Sequence, residues 1–177
     1  MNWRYLWHTI LIIIFSLIQI GLISSFPNPF NHLDLILIIL IFLHTFDDIN
    51  LLFFWLILTS FILSLTSITP FGIEIFATWF TILISYFLFT QILTNKSLYS
   101  LIVITASMTL VKQIFIYLFI GGARLFTETV YYSMTFYSLG TTVFYAAILN
   151  LIGMIAIYYS IGIFNPKLKP YILFNKR

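Results

Sequence analysis

The chain has 177 residues, 62% hydrophobic and only 7% charged, with a mean hydropathy of +1.09; an ordinary soluble domain carries roughly a quarter charged residues, so a water-soluble fold is excluded. Cysteine is absent, which removes disulfide frameworks, thiolate metal sites and thiol-based redox or nucleophilic chemistry. The formal charge of +3 does not point to nucleic acid, because four of the eight basic residues fall in the last eleven positions, where a basic segment beside a membrane reads as a cytoplasmic anchor.

With helices of about 20 residues crossing a hydrocarbon core about 30 Å thick, spanning consumes most of the chain. The expected fold is all-α, one transmembrane domain over residues 1–177 built as a polytopic bundle of about six helices, with no separate soluble domain. Trp3, Arg4, Tyr5 and Trp7 are interfacial residues placed just before a first helix at 6–25. Its apolar run is long for a signal peptide and no small-x-small cleavage site precedes Pro27, so it is read as a span. Phe26-Pro27-Asn28-Pro29 ends it, since proline cannot continue a helix and restricts the residue before it.

The second apolar run, 33–46, has about 14 residues, too few to span upright by the usual count, and either crosses as a short helix or re-enters. Asp47, Asp48 and Asn50 are expensive in hydrocarbon and mark a polar turn before a third helix at 51–66. Pro70-Phe71-Gly72 lies in the next break. A fourth helix at 73–93, a Thr94-Asn95-Lys96-Ser97 turn and a fifth helix at 98–120 follow. Gly121 to Ser138 is less apolar and rich in aromatics, consistent with an interfacial helix. A sixth helix at 141–164 stops at Asn165-Pro166, before a basic cytoplasmic tail at 165–177.

Lysine and arginine collect in short cytoplasmic loops. Six spans with an inside N-terminus put Arg4, Lys96, Lys167, Lys169, Lys176 and Arg177 in the cytoplasm and only Arg124 outside. Merging the second and third runs would export Lys96 and the tail. Both termini are therefore expected in the cytoplasm.

Catalytic signatures are missing: there is no P-loop, GxGxxG, HExxH or GxSxG pattern. His8, His32 and His44 lack partners at metal-ligand spacing within their own helices and read as headgroup-level residues. Asp47-Asp48, the only adjacent acids, read as a solvated turn and helix cap. No enzyme, cofactor or metal is expected. What remains are polar residues inside helices, which cost free energy in hydrocarbon and face the protein interior. Gln19, Glu74, Gln91, Lys112, Gln113 and Asn150 are these. Lys112 lies about 12 Å inside the outer end of the fifth helix, where it either snorkels outward or pairs with Glu74 on the adjacent fourth helix. Asn150 is read as an interhelical hydrogen-bonding group, and the glycines of the last helix form no GxxxG motif.

Over residues 10–120 the layout resembles the rod-shape-determining protein MreD family of the bacterial cell-wall elongation complex. The resemblance is carried by Gln19 near the outer end of the first helix, by Pro29 and then Asp34 leading into Leu33-Asp34-Leu35-Ile36-Leu37, by the Pro70-Phe71-Gly72 turn, and by Thr94 to Leu98 before the fifth helix. Ser60 and Ser64 stand where the family usually carries a glycine and an aspartate. The resemblance implies a non-enzymatic scaffold in the cell inner membrane that contacts other membrane proteins, such as an MreC-like bitopic protein and the wall-elongation synthases. The expected structural and contact residues are Gln19, Asp34, Pro70, Phe71, Gly72, Glu74, Lys112 and Asn150.

Two other classes are weighed against it. A substrate-binding membrane subunit of an energy-coupling-factor importer would need polar groups converging from helices and outer loops, for which Glu74, Lys112, Asn150 and the 124–138 stretch are available. A lipid-acting membrane enzyme would need clustered acids for a divalent metal, and only Asp47 and Asp48 qualify.

Overall fold

The computed structural model describes residues 3–46, 49–67, 69–91, 97–124 and 136–164. Six α-helices follow one another: α1 (Trp3–Leu17), α2 (Leu35–Phe46), α3 (Ile49–Thr66), α4 (Ile73–Gln91), α5 (Leu98–Arg124) and α6 (Phe136–Phe164), with no strand among the described residues. Five helical segments are long and apolar enough to cross a bilayer. The chain is an all-α, multi-pass membrane bundle.

The first span differs from a uniform helix at 6–25. After Leu17 the backbone widens into a π turn, Ile18–Leu22, and tightens into a 3-10 turn, Ile23–Ser25. The hydroxyls of Ser24 and Ser25 donate to the carbonyl oxygens of Gln19 and Gly21, taking up acceptors at the helix end. A cis Asn28–Pro29 peptide and a 3-10 turn, Phe30–His32, then lead into α2.

The short second run is the centre of the molecule. α2 is 12 residues long yet packs against all five other helices. Ile36, Leu37, Ile38, Leu40 and Ile41 are all buried. A helix walled by protein need not match the bilayer thickness, because its ends meet side chains rather than lipid. Successive helices α3, α4, α5 and α6 pack side by side. Several buried hydroxyls donate to their own helix: Thr45 of α2, Thr59, Thr81 and Thr109 bond the carbonyl four residues earlier, which lets a polar residue sit in an apolar core. The indole of Trp55 donates to His8 Nδ1 across α1 and α3, and that of Trp79 to Ser60 Oγ across α3 and α4.

Two boundaries move further. α5 runs to Arg124 instead of ending at 120, because Gly121, Gly122 and Ala123 continue its backbone ladder. α6 starts at Phe136 rather than 141, so the last part of the expected interfacial stretch belongs to it. The Asp47-Asp48 turn, most of the Thr94 turn, residues 125–135 and the basic tail lie outside the described residues.

Candidate functional site: a charged cavity at one end of the bundle

At the end where α1 and α3 finish and α2 and α4 begin, the chain brings five of the singled-out polar residues together. Asp34 caps α2: its Oδ1 accepts the Leu37 N–H at 2.9 Å, which satisfies one of the amides that a helix start leaves open. The two amides beside it are also met by side chains from other helices. Asn150 Oδ1, on α6, accepts the Asp34 N–H at 2.7 Å, and Gln19 Oε1, from the π turn, accepts the Leu35 N–H at 2.8 Å. Gln19 Nε2 returns a hydrogen bond to the Leu33 carbonyl at 3.0 Å, and Asn150 Nδ2 donates to Thr109 Oγ1 on α5 at 3.0 Å. The start of the central helix is thereby tied to α1, α5 and α6.

Lys112 supplies the charge. Its side chain is 6% exposed, and Nζ reaches Asp34 Oδ2 at 2.5 Å and Glu74 Oε2 at 3.6 Å. The ammonium does not snorkel. Because α5 extends to Arg124, Lys112 lies twelve residues, roughly 18 Å of rise, inside its end, too far for an outward reach. The expected Glu74 contact is present but long, and the shorter partner is Asp34, which the sequence reading placed at a helix entry without linking it to Lys112.

Pro70, Phe71 and Gly72 form the adjoining turn between α3 and α4. Gly72 has φ +96°, a conformation that side chains rarely adopt. Its N–H is bound by Ser64 Oγ at 2.9 Å, so Ser64 serves here as a turn acceptor. Phe71 is exposed and sits edge-on to Phe61.

Between these elements lies a cavity of about 320 Å³ whose lining includes Gln19, Asn31, His32, Asp34, Glu74, Lys112 and Gln113. His32 stacks on Tyr145 of α6 with an interplanar angle of 5°, and burial holds its imidazole below the ordinary histidine pKa. Of the lining groups, nothing in the sequence marks Asn31, and His32 lines the cavity where a headgroup-level position is expected; Thr109, which anchors Asn150, is detectable only by its position one turn before Lys112 on the same face. Among the described residues no group of three or more His, Asp or Glu side chains is placed to hold a metal ion.

Chemically, the arrangement can do two things. It fixes the relative positions of α1, α2, α4, α5 and α6 through polar contacts that hydrocarbon makes costly to break. It also presents a polar hollow at the end of an apolar bundle. Compared with models of protein families, with curated proteins and with solved structures, the chain matches none of them.

Proposed function

We propose that this chain is a non-enzymatic scaffold of the cell-shape and peptidoglycan-elongation machinery, similar to MreD, lying in the bacterial inner membrane with both termini cytoplasmic. It works by helix and loop contacts with an MreC-like bitopic protein and the wall-elongation synthases. One observation carries the reading: Gln19, Asp34 and Gly72, three of the residues on which the resemblance rests, organise one end of the bundle. Gln19 and Asp34 cap α2, and Gly72 provides the left-handed turn beside them. Most of the polar side chains there are used in holding helices together, which suits a rigid platform. The exposed Phe71 at that end and the many apolar side chains facing outward along the helices offer surface for partner helices.

Depletion of the protein in its host should disturb cell shape or wall insertion, and affinity capture from native membranes should recover wall-elongation proteins. Normal shape after depletion, with transporter ATPases captured instead, would overturn the scaffold reading. The cavity favours one second reading, an importer's substrate-binding subunit, since its volume lies at the small end of ligand pockets.

A further inference from the structure

The polar groups of the cavity fall into two sets. Gln19, Asp34 and Asn150 are spent on the backbone at the start of α2. Glu74, Gln113 and Asn31 are not: among the described residues the side chains of Gln113 and Asn31 make no hydrogen bond, and Glu74 has only a long contact with Lys112, at 3.6 Å. The Glu74 side chain is only 17% exposed. A carboxylate so far removed from water is costly unless something charged and hydrogen-bonding meets it. Lys112 cannot do this fully, because its short contact is with Asp34. Two carboxylates share one ammonium, leaving one negative charge in excess among these three groups.

We propose that this cavity binds a primary ammonium group, with Glu74 as its counter-ion and the side-chain carbonyl oxygens of Gln113 and Asn31 as further acceptors. The chemistry selects this class over its neighbours. A primary ammonium has three N–H donors, matching one carboxylate and two amides. A quaternary ammonium has none and is held by aromatic faces, yet among the described residues the lining contains no Phe, Tyr or Trp. A divalent metal would need several oxygen ligands, and the Lys112 ammonium already lies between the two carboxylates. An anion is disfavoured by the excess negative charge. The ammonium has two possible carriers, a small soluble amine or the headgroup of an ethanolamine lipid. The inference stands on the cavity alone, whichever assembly the chain joins.

The test uses the full chain in phosphatidylcholine nanodiscs, with thermal unfolding followed by tryptophan fluorescence at fixed ionic strength. Free ethanolamine should raise the midpoint saturably, by about 2–4 °C per factor of five to six in folded population, and choline should not. Glu74→Gln should abolish the response. A rise with free ethanolamine identifies a soluble amine as sufficient; a rise only when phosphatidylethanolamine replaces phosphatidylcholine at matched acyl chains identifies the headgroup. Equal effects of ethanolamine and choline, or none from either the free amine or the ethanolamine lipid, overturn the proposal. If Glu74→Gln does not fold, Gln113→Ala and Asn31→Ala replace it: each should weaken the response, and an unchanged response in both also overturns it. Capture of wall-elongation proteins is read separately, so failure here leaves the scaffold assignment to its own experiment.

Discussion

Asp34 serves two helices at once: Oδ1 closes the first turn of α2 through the Leu37 N–H while Oδ2 holds the Lys112 ammonium of α5. Cap and ion pair are therefore one structural unit, and changes at either residue should not act independently. Asp34→Asn keeps an acceptor for the cap but removes the charge, and Lys112 is then left buried with only the distant Glu74. Breaking a buried pair from one side costs about 3–5 kcal/mol. Lys112→Met should cost a similar amount, and the double variant should cost clearly less than the sum. Denaturation in detergent micelles measures all three. Additive costs would mean that the two residues are independent.

The same cluster marks what the sequence reveals and where it stops. Gln19, Glu74, Lys112 and Asn150 are visible because hydrocarbon penalises polar side chains, so each demands a partner, whereas Asp34 is singled out only through the family resemblance. The partners themselves are not visible. Asp34 meets Lys112 across 78 positions and Asn150 across 116, and helical periodicity constrains only neighbours within a helix. The pairing of Glu74 with Lys112 was accessible because α4 and α5 are joined by a short connection and pack antiparallel. Asp34 escaped because its helix is too short for a routine span and its central position depends on all five other helices.

At Gly153 α6 packs against the Ile38 side chain of that central helix. A Cβ added there would lie 2.7 Å from Ile38 Cδ1 and 3.3 Å from Leu33 Cδ1, both ends of flexible side chains. Gly153→Ala gains helix propensity of about 1 kcal/mol, enough to offset a small movement of Ile38, so stability should change by less than about 1 kcal/mol. Gly153→Leu cannot be absorbed in this way and should destabilise by about 1–3 kcal/mol through overpacking. A leucine variant as stable as the parent would place α6 further from α2 than the structure has it.

The turn at Gly72 should behave oppositely. Space around it is ordinary, with Phe76 at 3.7 Å from an added Cβ, but its φ of +96° penalises any side chain. Gly72→Ala is expected to cost about 1–2 kcal/mol from backbone strain. Ser64→Ala removes the acceptor of the Gly72 N–H and should cost about 1 kcal/mol more, since the hydroxyl is buried and bonded at 2.9 Å. The pair of substitutions should be less than additive, because both loosen the same turn.

Topology is the prediction on which the functional reading depends most directly. Six crossings follow if α2 reverses the chain direction between α1 and α3, against both of which it packs. Gln19, Asp34, Glu74 and Lys112 share one end of the bundle; with an inside N-terminus that end is expected to face outward together with Arg124, and the other basic segments of the sequence are expected in the cytoplasm. A fluorescent reporter that folds only in the cytoplasm should be active at Arg177, and a phosphatase active only outside should be silent there. Reporters inserted after Asn28 should give the reverse pattern. Phosphatase activity at Arg177 with six crossings kept would mean an inverted bundle and turn the charged cavity toward the cytoplasm, where contacts with the extracellular part of the proposed bitopic partner could not form.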